Sequence, residues 1–188
     1  MELALSICLG IGLSAACGFR VFVPMLGVSI AVLSGHLQLA EGFAWLGTWP
    51  ALACFLTAAI LEVGAYYLPW LDNLLDTIAT PAAVIAGTII TASVIVDLSP
   101  LLKWTLAIIA GGGTAGLIQS STVALRGVST ATTGGLANGL VASGELIASA
   151  AATTLALFLP VLTACGVFVL AVALISTVRR RTISAPSG

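Results

Sequence analysis

Charged side chains are scarce in this sequence of 188 residues, where Asp, Glu, Lys and Arg together make up 7% and apolar residues make up 60%. A soluble domain carries roughly a quarter charged residues, so this chain has too little polar surface to build a water-facing shell. A bilayer accepts apolar side chains on the outside of a protein, and the mean hydropathy of +1.19 suits that solvent. The composition therefore predicts an all-α, polytopic transmembrane helical bundle.

Histidine and basic residues are also few, with one His and six Lys plus Arg against seven acidic residues. The net charge of -1 leaves no extended basic surface to displace counterions from phosphates, so nucleic acid is not an expected partner. No zinc, haem-attachment or hydrolase pattern occurs, and the lone His36 lies in a connection between apolar runs. We therefore expect no cofactor, no metal and no enzymatic activity, with an intramembrane enzyme as the least supported class.

Cysteine pairs with C-x-x-C spacing are absent as well. The four cysteines lie inside apolar runs, where a free cysteine behaves as a small apolar residue. We expect packing roles for Cys8, Cys17, Cys54 and Cys165.

Long apolar runs, in contrast, occupy most of the chain. The clearest is Pro50 to Pro69, about 30 Å of helix, flanked by aromatic residues that are typical of membrane interfaces: Trp45, Trp49, Tyr66, Tyr67 and Trp70. The other runs are shorter: Leu3 to Cys17, Val21 to Leu33, Ala82 to Val96, Leu106 to Ile118, and Leu140 to Val178. We expect one transmembrane domain over residues 1–178 and a short tail, basic and then polar, over residues 179–188.

Two prolines bear on how these runs are organised. Leu71 to Pro81 is predicted to form a short interfacial helix that ends at Pro81. Pro160 either kinks one long helix or separates two short ones, which leaves six or seven spans open, some of them short or kinked. Residues 157–162 around Pro160 include no polar residue that could satisfy the backbone groups of a turn in lipid, and this argues against seven spans.

The distribution of basic residues favours seven spans. An odd number of spans places Arg179 to Arg181 on the same side of the membrane as Arg20 and Arg126, with Lys103 on the opposite side. The positive-inside rule makes the arginine-rich side cytoplasmic, so the C-terminal tail is expected in the cytoplasm.

Ionisable residues within or beside apolar runs are the first candidates for a site, because a lone charge in lipid is unfavourable unless it is paired. Four residues qualify: Arg20, Glu62, Arg126 and Glu145. Counting spans also places Arg20, Asp72, Asp76 and Arg126 at one face of the membrane. These charges either line a path for a proton, an ion or a headgroup, or form buried ion pairs that fix the register of the helices.

The most polar stretch follows Arg126 and contains hydroxyls and glycines, including Thr132, Thr133, Gly134 and Gly135. Hydroxyl groups and exposed backbone N–H groups beside a guanidinium suit an anion or a phosphate headgroup. A flexible loop or a re-entrant segment packed against protein is the alternative. Before it, glycines at 111, 112, 113 and 116 predict a helix with a thin face that packs closely, with a hinge as the alternative.

The chain resembles an uncharacterised bacterial membrane family, domain of unknown function 4126, from about Leu13 to Ile175. Three motifs carry the resemblance: Gly18-Phe19-Arg20 with Pro24, the segment Val63 to Asp76 with its core Leu71-Asp72-Asn73-Leu74-Leu75-Asp76, and Ser129-Thr130-Ala131-Thr132-Thr133-Gly134-Gly135 with Asn138 and Glu145. The chain departs from the family pattern in having Asn138-Gly139 in place of Asn-Pro, and a single acid, Glu145, in place of a pair. The resemblance implies a bacterial inner membrane and no particular activity.

Two functions follow as hypotheses. The first is a small transporter or channel for an anion or an anionic lipid headgroup, with a path made by the charged residues above, the Thr132–Gly135 stretch and Asn138. The second is a structural or assembly subunit of a larger membrane complex. Membrane lipids are the expected partners, together with further copies of the chain or other subunits.

Overall fold

Helices account for nearly all of the chain in the computed structural model, which describes residues 3–66 and 69–183, with side chains described except at 69–76 and 177–183. The α-helices in this part are α1 (Leu3–Phe19), α2 (Phe22–Leu33), α3 (Trp49–Ala65), α4 (Pro69–Val94), α5 (Pro100–Leu106), α6 (Gly113–Thr133), α7 (Asn138–Phe158) and α8 (Pro160–Ile183). A 3₁₀ turn at Ala44–Gly47 precedes α3, and a π-helical segment at Ala107–Gly112 joins α5 to α6.

Three helical segments are long and apolar enough to cross a membrane: Thr77–Val94, Pro100–Thr133 and Asn138–Phe158. Four shorter apolar helices accompany them in the described part of the chain: Leu3–Phe19, Phe22–Leu33, Trp49–Ala65 and Pro160–Ser176. Many large apolar side chains on these helices face outward, as they do in a protein whose solvent is lipid. The protein is therefore an all-α bundle embedded in a membrane.

Helix α1 lies at the centre of the bundle, in contact with α4, α6, α7 and α8. Its small residues allow this close approach, since a Cβ atom at Gly18 would lie 2.7 Å from the carbonyl oxygen of Ala115 in α6. Hydroxyl groups then join the helices through hydrogen bonds. Ser14 donates to the Gly87 carbonyl of α4 at 2.8 Å, and Ser149 of α7 donates to the Ala16 carbonyl at 3.0 Å.

Helices alternate in direction across the bundle when α5, the π-helical segment and α6 are counted as one continuous helix. At one end, the connection after α2 meets the end of α4, where Ala40 N–H donates to the Ser93 carbonyl at 2.7 Å. Phe43 in the same connection lies 6.1 Å from the Trp104 ring of α5. At the opposite end lie Arg20 and Tyr66, which follow α1 and α3. We call these the tryptophan end and the arginine end.

Proline does not end a helix at position 81, contrary to the sequence prediction of an interfacial helix that stops there. Helix α4 continues through Pro81 from Pro69 to Val94. A proline removes only one backbone N–H donor, and helical backbone is the main way to satisfy the remaining peptide groups in lipid.

Pro160 separates two helices. Leu159 leaves the helical conformation with φ -134° and ψ 60°, and α8 begins at Pro160 and folds back along α7. Backbone groups of this turn are bonded: Leu159 N–H donates to the Leu155 carbonyl at 2.7 Å, and the Leu159 carbonyl accepts from both the N–H and the hydroxyl of Thr163, each at 3.0 Å. The lack of polar residues immediately around Pro160 is therefore no obstacle to two helices, since Thr163 supplies a hydroxyl from the first turn of α8.

Candidate functional site

Four buried side chains meet at the arginine end of the bundle, and each comes from a different part of the chain. Arg20 follows α1, Tyr66 follows α3, Arg126 belongs to α6 and Glu145 to α7. Arg20 is 1% exposed and Glu145 is 4% exposed, and the other two are also buried. We call these four residues the arginine cluster.

Glu145 binds both arginines. Nε of Arg126 donates to Oε1 of Glu145 at 3.0 Å, while Nη2 of Arg126 donates to Oε2, which makes a two-point pair. Nη2 of Arg20 lies 3.3 Å from the same Oε2 and also donates to the Ala142 carbonyl at 2.8 Å. One carboxylate therefore joins the α1–α2 junction to α6 and α7.

Tyr66 provides an aromatic surface for both guanidinium groups. The central guanidinium carbons of Arg20 and of Arg126 each lie 3.9 Å from the centroid of the Tyr66 ring. A cation against an aromatic face is stabilised by the ring quadrupole, more so away from water. The sequence prediction of Tyr66 as an interface anchor was wrong, because the side chain is buried in the cluster.

Glu62 lies beside the cluster, and its carboxylate contacts the start of α2. Oε1 accepts the N–H of Val21 at 2.8 Å, and Oε2 accepts the N–H of Phe22 at 3.1 Å. These N–H groups belong to the first turn of a helix, where the helix dipole contributes about half a positive charge. Glu62 thus stabilises the tight reversal from α1 into α2 that positions Arg20.

Arg20 retains hydrogen-bonding capacity in this buried position. Its Nε and Nη1 atoms have no acceptor among the residues that the structure describes. A buried donor left without an acceptor is destabilising by about 1–3 kcal/mol, and more when the group is charged. The geometry thus leaves a cationic group with two donors open to an additional acceptor.

The Ser/Thr/Gly stretch lies further along the chain from Arg126 and forms the turn of a helical hairpin. Thr132 and Thr133 belong to the last turn of α6, about 10 Å of helix beyond Arg126, and their hydroxyls donate to carbonyls of that helix. Gly134 and Gly135 have φ of 65° and 89°, the left-handed conformation that ends α6. Asn138 donates to the Thr130 hydroxyl at 3.1 Å and begins α7.

The sequence indicated a loop or a re-entrant segment here. In the structure, α6 instead continues to Thr133 and α7 begins at Asn138, so that only a short turn separates the two helices. Arg20, Glu62, Arg126 and Glu145 lie together as the buried-charge hypothesis requires. Asp72 and Asp76 belong to α4, but their side chains lie outside the described residues, as do Tyr67 and the side chain of Trp70.

A cavity of about 400 Å³ borders the cluster between α3 and α4. Glu62 and Tyr66 line it together with the first residues after Arg20, Val21 and Phe22. Across the described residues, no group of three or more His, Cys, Asp or Glu side chains is arranged to hold a metal ion.

The fold and the cluster define a class: a membrane-embedded helical bundle with a buried ionic group at one end. The chain belongs to the family described as domain of unknown function DUF4126, whose model matches residues 7–180. This confirms the family indicated by the three sequence motifs. Neither the curated proteins nor the solved structures contain a match to the chain.

Proposed function

We propose that this protein is a small transporter or channel that binds an anion, or the anionic headgroup of a lipid, at the arginine cluster. The observation that carries the proposal is the state of Arg20, which is 1% exposed and has two donors without an acceptor among the described residues. Oxygen atoms of an anion accept hydrogen bonds from guanidinium groups strongly. No enzymatic step is part of the proposal.

The balance of charge around the site supports an anionic ligand. Arg20 and Arg126 share Glu145, and Glu62 binds two backbone N–H groups at the start of α2. Arg20 therefore has no carboxylate to itself among the described residues, and its Nε and Nη1 atoms keep their capacity to donate. A negatively charged ligand is the better complement.

We also propose a bacterial inner membrane as the location, with the C-terminus in the cytoplasm. The alternation of helix direction supports this orientation, because it places Arg20 and Arg126 at the arginine end, opposite the end that holds Trp104 and the neighbouring Lys103. Positive residues are enriched on the cytoplasmic side of membrane proteins.

Transport is tested by anion flux into vesicles containing the purified protein. Arg20→Lys keeps the positive charge and removes the guanidinium donors, so we expect flux to fall by about tenfold or more, as for the loss of a charge-assisted hydrogen bond. The matched control is Lys103→Gln, which removes a cation beside Phe43, away from the cluster, and should leave flux unchanged. Equal flux through the wild type and a folded Arg20→Lys variant contradicts this mechanism.

The second candidate function is a structural or assembly subunit of a larger membrane complex. The sharing of Glu145 by two arginines favours it, because a buried ion group fixes how helices are placed relative to one another. The same experiment separates the candidates: vesicles with folded wild-type protein that pass no anion faster than empty vesicles favour the subunit.

A further inference from the structure

We propose that the cavity between α3 and α4 binds a lipophilic amine, a protonated primary amine with an apolar body, and that its ammonium group lies at the carboxylate of Glu62. This is a binding site for a second class of ligand, beyond the anion proposed at the arginine cluster. Among the described residues that line the cavity, Glu62 is the one with a charged side chain, so its carboxylate determines which charge a ligand there can carry.

Alanines on the facing sides of α3 and α4 create the cavity. Ala58 and Ala65 line it from α3, and Ala79 and Ala82 line it from α4. Helix α3 packs mainly against α2 and touches α4 only slightly, so these small side chains leave a gap of about 400 Å³. A volume of this size falls within the range of small-molecule sites, which are mostly apolar with a few polar groups that set orientation.

The carboxylate of Glu62 retains the capacity to accept hydrogen bonds. An ionised carboxylate has about four acceptor positions on its two oxygens. The N–H of Val21 takes one position on Oε1, and the N–H of Phe22 takes one on Oε2; the described residues supply no further donor. An ammonium group, which has three donors and no acceptor, fits the remaining positions.

Glu62 also has no cationic side chain bound to it among the described residues. The ion pairs that Arg20 and Arg126 make in this part of the chain go to Glu145. A carboxylate on an apolar helix in a membrane is unfavourable unless it is paired, and such residues often belong to functional sites. A ligand cation therefore provides a partner that the described arginines do not.

The cavity opens toward the lipid-facing side of the bundle. Leu61 on α3 and Ile78 on α4 belong to its lining and are 66% and 54% exposed. Both residues lie on apolar helical segments, so the surface that they form faces hydrocarbon rather than water. An amine dissolved in the bilayer therefore reaches Glu62 sideways, and its apolar body extends along Ala58, one helical turn further from the arginine end.

The test compares two ligands that share an alkyl chain and differ in charge. Purified protein in phosphatidylcholine nanodiscs is loaded with dodecylamine, which is protonated at neutral pH, or with dodecanol, and the bound ligand is counted by native mass spectrometry. We expect about tenfold greater retention of dodecylamine, the value for one charge-assisted hydrogen bond. Glu62→Gln removes the negative charge with little change of shape and should reduce the retention of dodecylamine to that of dodecanol.

The matched control for charge is Glu41→Gln, which removes an exposed carboxylate in the connection after α2 and should retain dodecylamine like the wild type. Because Glu62 also stabilises the start of α2, a second pair of variants tests the cavity with this residue intact. Ala82→Phe fills the cavity and should lower the retention of dodecylamine about tenfold. Ala152→Phe places the same side chain in a different apolar cavity, between α1, α7 and α8, and should retain dodecylamine like the wild type.

A wild type that retains dodecylamine no better than dodecanol overturns the proposal, and so does a folded Glu62→Gln variant that retains dodecylamine like the wild type. Equal retention by the Ala82 and Ala152 variants overturns the assignment to this cavity. If Ala82→Phe does not fold, Ala58→Phe fills the same cavity from α3. None of these results decides the anion proposal, because the flux measurement depends on Arg20 rather than on this cavity.

Discussion

Glu145 is the carboxylate that the two buried arginines share. Both guanidinium groups contact its Oε2 atom, and the side chain is almost fully buried. In a low-dielectric interior, removing one member of an ion group leaves the others charged and without compensation. The stability of the arginine end therefore depends on this carboxylate more than on any surface charge.

Replacing Glu145 by Gln should lower the free energy of unfolding by about 3–5 kcal/mol, because two buried cations lose the carboxylate that they share. Thermal unfolding of the purified protein measures the effect. Glu41→Gln, an exposed acidic residue in the connection after α2, is the control and should change stability little. Adding Arg126→Gln to the Glu145→Gln variant should restore part of the lost stability. If Glu145→Gln and Glu41→Gln have equal stability, the role given to Glu145 is contradicted.

At the level of single residues, the sequence predicted which charged residues meet at the arginine end, three of them buried and Glu62 partly buried, but not how they pair. Arg20, Glu62, Arg126 and Glu145 are recognisable because each interrupts or borders an apolar run. The partner of each depends on the rotation of its helix, and that rotation is set by packing. Tyr66 was missed because a tyrosine at the end of an apolar run is typical of a membrane interface. A tyrosine that is buried against other helices can occur in the same sequence context, so the sequence does not distinguish the two.

Among the elements, the segment from α5 to α6 shows most clearly how small residues determine packing. Gly111 and Gly112 end the π-helical segment and lie directly against α4. A Cβ atom at Gly111 would lie 2.6 Å from the Gly87 carbonyl oxygen, closer than real contacts allow. The close packing predicted from the glycines is thus confirmed at Gly111, Gly112 and Gly116, whereas a Cβ atom at Gly113 would meet no other atom within 4 Å. The π-helical geometry was not predictable, since it depends on how the helix packs against α4.

Gly111→Ala should therefore destabilise the protein by about 1–3 kcal/mol, the usual effect of overpacking. The adjacent Gly113→Ala is the matched control, because a Cβ there meets no atom within 4 Å and alanine is the better helix former. Thermal unfolding of both variants compares them directly. A Gly113 variant that loses as much stability as the Gly111 variant would contradict the packing described here.

For the whole molecule, membrane residence and helical class follow from composition alone, because so few charged residues cannot cover a water-facing surface. The alternating direction of the apolar runs also correctly brought Arg20 and Arg126 to one end. The structure of the segments around Pro81 and Pro160 was harder to predict, since a proline is compatible with a break, a kink or a continuous helix. Which of these occurs depends on whether neighbouring helices support the backbone on both sides of the proline.

The claim on which the account depends is that Arg20 binds an anion, and arginine side-chain NMR tests it most directly. Protein labelled with ¹⁵N-arginine gives Nε–H signals that variants at Arg20 and Arg126 assign. During titration with inorganic phosphate we expect a larger shift for Arg20, whose Nε has no acceptor among the described residues, than for Arg126, whose Nε donates to Glu145. An Arg20 signal that does not move up to saturating phosphate would contradict the account.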